Sequence, residues 1–215
     1  GGSFAAANAD PTVDAVALWT TGGTPAETTA MTPQVEYNVK VTVTDGNTLG
    51  DLDTVQVTIF YDTDGFYAPA DVPGVGNTQT AAILTCTVGA TPSWSIDPST
   101  STTWVLVTAS CVQPTLTGSS GTFEFHFKPG KIATETIDPA KWHIYARADD
   151  GDSPGSNAKQ NLTMNWYGEI TMNTASVNWG SIAPGSDFGD STKQTGISVT
   201  YIANGAYDEK VAASS

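Results

Sequence analysis

The feature that most constrains the fold is a strict two-residue alternation of apolar and polar side chains. The clearest case is the run 123–128, Phe-Glu-Phe-His-Phe-Lys. Because successive side chains of a β-strand point to opposite faces, this run predicts a strand with an aromatic face in the core and a polar face in solvent. A helix would instead scatter the three phenylalanines around its surface.

The same alternation recurs along the chain, between turn-rich stretches of Asp, Gly, Asn and Pro. It predicts strands over residues 39–44, 55–59, 142–147 and 162–167, with further candidates at 13–19, 81–88 and 104–108. In the run 142–147 it places Trp142 on the buried face and His143 on the polar face. About eight short strands separated in this way are typical of an all-β, antiparallel immunoglobulin-like β-sandwich. A closed barrel is the alternative.

The pattern restarts at residue 168, with about four short strand candidates before the last residue of the sequence. So few strands are not enough to bury two sheet faces. We therefore expect three parts: an extended N-terminal segment over 1–12, a β-sandwich domain over 13–167, and a smaller, incomplete β domain over 168–215.

Charge and hydropathy exclude two classes of partner. The chain has 8 Lys and Arg against 22 Asp and Glu, a formal net charge of −14. Nucleic acid is not expected as a partner, because binding phosphates needs clustered basic residues. No run approaches the about 18 apolar residues of a membrane span, so none is expected.

The two cysteines, Cys86 and Cys111, each lie in or beside a predicted strand. A disulfide between them would close a loop of about 25 residues, stabilise the fold by roughly 3 kcal/mol, and indicate an oxidising compartment outside the cytosol. The alternative is two buried free thiols.

Acidic residues cluster in three predicted loops, where closely spaced carboxylates are suitable ligands for Ca²⁺. They are Asp45, Asp51 and Asp53; Asp62 and Asp64; and Asp149, Asp150 and Asp152. The alternative is that these residues only shape solvated turns. If strands simply alternate in direction, the loops at 62 and 149 lie at one end and 45–53 at the other. An extra strand at 94–96 would reverse part of that assignment.

Other chemistry is weakly indicated. No nucleophile elbow, HExxH motif or phosphate-binding glycine loop occurs, so we expect no enzyme. Trp94, beside a proline, is the candidate for an exposed platform that binds carbohydrate. Asn161 opens the sequon Asn-Leu-Thr, a glycosylation acceptor in a secreted protein.

Several stretches resemble known extracellular modules. Residues 36–45 and 51–60 are similar to strands of cadherin-like and polycystic-kidney-disease-type domains. Residues 142–149, 165–170 and 177–185 resemble archaeal cell-surface proteins built from tandem β-sandwich modules. The resemblance implies an extracellular or cell-surface location and no particular activity. In that family the element at 177 opens a longer sandwich than the one present here.

An incomplete sheet leaves unpaired backbone groups and an uncovered apolar face, and such edges recruit strands from other chains. We therefore expect a homopolymer, a surface filament or surface layer, in which a neighbouring subunit completes the second domain by donating a strand. Residues 4–19 are the candidate donor. The alternative is a monomeric adhesin or carbohydrate-binding module.

Overall fold

A computed structural model describes residues 8–72, 80–97, 103–173 and 198–208, and the regular secondary structure of these residues is almost all β-strand. The strands are β1 (Thr12–Thr20), β2 (Ala30–Met31), β3 (Tyr37–Thr44), β4 (Thr54–Asp62), β5 (Thr80–Thr87), β6 (Ser93–Ile96), β7 (Val105–Leu106), β8 (Ser120–Lys128), β9 (Lys141–Asp149), β10 (Gly155–Met164), β11 (Gly168–Met172) and β12 (Val199–Ala203). Short 3₁₀ turns span Leu49–Asp51, Pro69–Asp71 and Thr108–Ser110. Within the described ranges, no helical segment has the length and apolar character to span a membrane.

Two sheets share one hydrophobic core. Their strand orders are β1-β3-β8-β7 and β2-β10-β9-β4-β5-β6, and a separate ribbon joins β11 to β12. All pairings are antiparallel except the short one between β2 and β10. The core cluster takes residues from both larger sheets. The predicted all-β, antiparallel, sandwich-like fold is confirmed.

The alternation in β8 works as predicted. Phe123, Phe125 and Phe127 are each 0% exposed. Trp94 of the other sheet meets Phe125 edge to face at 5.1 Å between ring centroids. Burying each such ring contributes about 1.5–3 kcal/mol to folding, so this strand is a main source of stability.

His143 of β9 departs from the alternation, because this predicted outward-facing residue is fully buried. Phe60 and Tyr67 cover its ring, at centroid distances of 5.4 and 5.5 Å. The Nδ1 atom accepts a hydrogen bond from the Asn161 amide at 3.3 Å, and Nε2 lies 3.7 Å from Asp62 Oδ2. The segment that follows β4 therefore covers His143 through Tyr67 and places this side chain in the interior.

Half of the predicted donor segment, from Thr12 onward, is part of the protein's own sheet. Strand β1 pairs with β3 from Thr12 opposite Thr44 to Thr20 opposite Tyr37, and its residues Val13 and Leu18 are buried. The expectation of a donor over 4–19 is thus wrong for the part in β1, because its apolar positions already fill a core. Residues 1–7 lie outside the described ranges.

The ribbon is anchored to the sandwich by Asn204. Its Nδ2 donates to the Ala133 carbonyl at 2.8 Å and to the Asn165 carbonyl at 2.9 Å, and its Oδ1 accepts from the Tyr167 amide at 2.7 Å. Strand β11 begins at Gly168, the residue where the sequence pattern restarts. The division of the chain into two domains at this point stays a prediction. The strand candidates near 177–179 and beyond 208 lie outside the described residues.

Candidate functional site

Three predicted calcium ligands converge at one end of the sandwich. Asp45, Asp51 and Asp150 each offer a carboxylate oxygen, and these oxygens all lie within 4.8 Å of one another. Asp45 is buried, Asp150 is half-buried and Asp51 is exposed. The cluster therefore extends from the interior to solvent.

Strand direction brings these loops together. The register places Thr54, at the start of β4, opposite Asp149 at the end of β9, and the Asp53 amide donates to the Asp149 carbonyl at 2.8 Å. Asp62 lies at the other end of β4, opposite Lys141. The expectation that the loops at 62 and 149 share an end is wrong, because β6 adds a strand and reverses the direction of those that follow.

Asp45 has an unusual environment for a carboxylate. Its Oδ1 accepts a hydrogen bond from the Asn47 amide at 2.7 Å, as in an Asx turn. Its Oδ2 is buried and has no hydrogen-bond partner in the part of the chain that the structure describes. A buried carboxylate oxygen without a partner is costly unless something neutralises it.

The neighbouring acids Asp149 and Asp152 are not part of the cluster. Asp149 accepts from the Gly151 amide at 3.0 Å and pairs with Arg147 at 2.7 Å, and Asp152 is exposed. Asp53, a further candidate, is exposed as well. These residues add negative charge around the cluster without joining it.

Asp62 and Asp64 form turns at the opposite end. Asp62 Oδ1 accepts from the Asp64 amide at 3.2 Å, and Asp64 Oδ1 accepts from the Phe66 amide at 2.8 Å. The hydrogen bonds of these two residues are those expected if the acids only shape turns.

The N-terminal residues dock beside the cluster, a contact that the sequence did not predict. The side-chain amide of Asn8 donates to Asp150 Oδ2 at 2.7 Å, and the Ala9 amide donates to Asn47 Oδ1 at 2.9 Å. A Cβ atom at Gly46 would lie 2.9 Å from the Ala9 Cβ, so glycine permits this approach. Residues 8–9 thereby join two loops of the cluster.

The predicted disulfide is not formed, and both cysteines are free thiols. Cys86 lies on β5 and faces the core, where burial raises its pKa to about 12. Cys111 lies beside β8 of the other sheet, where its Sγ accepts from the His126 amide at 3.4 Å. Burial is also the main cause that raises the pKa of Cys111. With raised pKa values, both thiols are protonated at neutral pH.

Two further sequence candidates have different outcomes. Trp94 packs against the core through Phe125, so it is not the exposed sugar platform that its neighbouring proline suggested. Asn161 is exposed on β10, and its glycosylation stays a prediction.

An apolar cleft of about 300 Å³ lies on the ribbon, lined by Trp166, Gly168, Glu169, Ile170, Tyr201, Ile202, Ala203, Tyr207 and Asp208. Tyr201 and Tyr207 are in ring contact at 4.4 Å. Glu169 receives hydrogen bonds from Lys131 and Tyr167, which together hold its pKa below its ordinary value. The cleft therefore combines aromatic walls with an ionised carboxylate.

Comparison with known proteins identifies no family for this chain. No protein-family model matches the chain, and no curated protein matches its sequence. A search of solved structures finds a likeness to a "DUF4466 family protein" from Parabacteroides merdae ATCC 43184, with 11% identity and a TM-score of 0.35. The likeness covers 77% of this chain and 48% of that protein, so this chain spans about half its length.

Proposed function

We propose that this chain is a structural subunit rather than an enzyme, located outside the cell or on its surface. Its copies join head to tail by strand pairing at the β11–β12 ribbon, forming a filament or a surface layer. The observation that carries the proposal is the exposure of the ribbon's apolar side chains. Ile170 is 69% exposed, Met172 is 53% exposed and Tyr201 is 50% exposed.

The ribbon has the properties of an incomplete sheet. Within the described ranges, β11 and β12 pair only with each other. A two-stranded ribbon is at best marginally stable in water, and exposed apolar edges recruit further strands. An added strand would supply backbone partners and cover the exposed side chains, as in donor-strand addition.

The positions of the two ends favour a head-to-tail arrangement. Thr12 lies opposite Thr44, beside the acidic cluster. Strand β10 begins at Gly155 and ends at Met164, next to the ribbon. A Cβ atom at Gly155 would lie 2.1 Å from the Pro11 carbonyl oxygen, so residues 8–11 and the ribbon occupy opposite ends of the sandwich. Contacts of this heterologous kind generate filaments when they do not close into a ring.

The donor in this proposal is residues 1–7, Gly-Gly-Ser-Phe-Ala-Ala-Ala. In extended form seven residues span about 23 Å, enough to pair along the five residues of β11. Phe4 and Ala6 would then share one face of the added strand. This replaces the longer donor, since residues from Thr12 onward belong to β1.

The extracellular location is supported by the resemblance to cell-surface modules, since free thiols remove the disulfide argument for it. The acidic composition, with a net charge of −14, suits a soluble surface that does not bind polyanions.

Electron microscopy and size-exclusion chromatography of the full chain and three variants test the assembly. We expect filaments from the full chain and monomers after deletion of residues 1–7 or after Ile170→Asp. Phe66→Asp, which also replaces an exposed apolar side chain (80% exposed), is the matched control and keeps the filaments. Filaments that persist without residues 1–7 would exclude this donor. Filaments that persist in Ile170→Asp would exclude the ribbon, and a full chain that stays monomeric would exclude assembly.

Carbohydrate binding is the second candidate, favoured by the aromatic rings around the ribbon cleft. Trp166 is 49% exposed and lines the cleft with Tyr201 and Tyr207, beside the carboxylates of Glu169 and Asp208. Apolar walls with a few polar groups are the general design of small-ligand sites. Glycan-array binding that Trp166→Ala removes from a monomeric protein would support this function over assembly.

A further inference from the structure

The carboxylate of Asp45 is buried, and only one of its two oxygens accepts a hydrogen bond. It is 0% exposed, and Oδ1 already accepts the Asn47 amide. Oδ2 has no hydrogen-bond partner among the described residues. A buried charge is tolerated when it is paired or coordinates a metal, so the unpartnered Oδ2 favours a cation as its ligand.

No side chain of the described ranges supplies that cation. The lysine and arginine ion pairs there all use other acids: Glu27, Glu124, Asp138, Asp149 and Glu169. Arg147, at the end of β9, is paired with Asp149. Asp45, Asp51 and Asp150 thus bring negative charges within 4.8 Å without a basic partner, an arrangement that repulsion opposes unless an ion binds.

We infer that Asp45, Asp51 and Asp150 bind one Ca²⁺ ion. The donors are all carboxylate oxygens, which hard cations prefer. Mg²⁺ usually keeps several waters and takes one or two carboxylates, whereas Ca²⁺ accepts six to eight oxygen ligands, so three carboxylates favour Ca²⁺. Two ligands of one Ca²⁺ lie up to about 5 Å apart, and the oxygens of this cluster lie within 4.8 Å of one another. Water reaches the exposed Asp51, where it completes the coordination.

The ion joins two loops that are distant in sequence, the loop after β3, which holds Asp45 and Asp51, and the loop that holds Asp150. It links the end of β3 to the following 3₁₀ turn and to the loop after β9. The same loops hold Asn8 and Ala9 through Asp150 and Asn47. Calcium therefore fixes the point where the N-terminal segment leaves the sandwich. The site itself does not depend on the proposed assembly.

Calorimetric titration of the full, metal-free chain with CaCl₂ tests the site. We expect one ion per chain, with a Kd of about 10⁻⁴ to 10⁻³ M, the range of extracellular modules. Asp51→Asn and Asp150→Asn each weaken binding at least about tenfold, since each removes a charged ligand. Asp152→Asn, an exposed neighbour in the same loop, makes the same charge change and keeps the Kd within about twofold.

Thermal unfolding of Asp45→Asn gives a readout that a purely structural role would not produce. In chelator the variant unfolds at or above the wild-type Tm, because it loses an unneutralised buried charge while an amide oxygen still accepts the Asn47 amide. In saturating CaCl₂ it unfolds below wild type, because the wild type alone gains the bound ion.

Three outcomes would overturn the inference: no Ca²⁺ binding at 10 mM (an excess over about 10⁻³ M), an equal loss in Asp152→Asn, or Mg²⁺ binding as tight as Ca²⁺. Asp51 and Asp150 are not buried, so their variants decide the matter even if Asp45→Asn fails to fold. These measurements do not depend on the filament assay. The calcium site can therefore be overturned without affecting the proposed assembly, and the assembly without affecting the calcium site.

Discussion

The sandwich and the ribbon are both made of antiparallel strands, yet they differ in what covers their apolar side chains. Phe125 of β8 is 0% exposed because the second sheet lies over it, while Ile170 of β11 is 69% exposed. Alternation in a sequence thus predicts a strand and its apolar face. It does not say which partner covers that face, and in the ribbon we assign the covering to a neighbouring subunit.

The largest expected effect tests this difference directly. Phe125→Ala removes a fully buried ring that packs on Trp94, and we expect a loss of about 3–5 kcal/mol in the free energy of unfolding. Ile170→Ala in the ribbon is expected to cost the monomer less than about 0.5 kcal/mol. Urea unfolding of the two variants beside the wild type measures both.

The comparison between the two regions fails if the two losses are similar in a monomeric sample. A large loss for Ile170→Ala would mean that the ribbon buries this side chain within its own subunit, and the proposed docking surface would lose its basis.

The sequence predicted the parts of the fold that depend on local pattern. Strands β3, β4, β8 and β9 match the predicted runs, and the phenylalanine face of β8 is buried as expected. The burial of His143 and the packing of the half-buried Trp94 against the core were not predicted, because both depend on what packs over a strand. A period-two pattern holds no information about such contacts between segments.

The candidate site shows the same limit. All three clustered acids were among the predicted ligands, but their grouping was not predicted, since strand direction depended on the four-residue strand β6. One short strand reverses the end at which every later loop lies. The unpartnered oxygen of Asp45 and the docking of Asn8 could not be predicted, because both depend on contacts between segments that are distant in sequence.

Histidine provides a second comparison between a buried and a half-exposed site, with a moderate effect. Burial lowers the pKa of His143 below its ordinary 6.5, although the nearby Asp62 opposes this. His143 takes up a proton near pH 6.5 in the unfolded chain but only at lower pH in the folded chain. Above about pH 6.5 this residue therefore does not reduce the free energy of unfolding. That free energy falls as the pH drops from about 6.5 toward the folded pKa, by at most about 1.4 kcal/mol per pH unit.

Urea unfolding at pH 7.5 and pH 5.5 measures this dependence. His143→Gln is expected to flatten the profile in that window, whatever its absolute stability, because the depressed titration is gone. His126→Gln, which changes the other histidine of the chain, is measured beside it, and the part of the slope that only His143→Gln removes is assigned to His143. An unchanged slope in His143→Gln would assign the pH dependence to other groups.

The smallest expected effect concerns the polar surface of the sandwich. Lys40 of β3 pairs with Glu124 at 3.4 Å and lies over the Trp19 ring at 5.1 Å from its centroid. Both charged side chains are partly exposed, 34% and 27%, so water screens the pair. We expect Lys40→Gln to cost about 0.5–1 kcal/mol, from a surface ion pair and a cation–π contact.

Salt separates this pair from the general effect of charge. The chain carries a net charge of −14, so removing any lysine increases self-repulsion. Lys128→Gln on β8 makes the same charge change without an ion pair in the described ranges, and the excess loss in Lys40→Gln over Lys128→Gln measures the local contacts. At 1 M NaCl, where the Debye length is about 3 Å, we expect the ion-pair part of that excess to vanish. An equal loss in both variants at low salt would mean that net charge, and not the contacts of Lys40, stabilises this face.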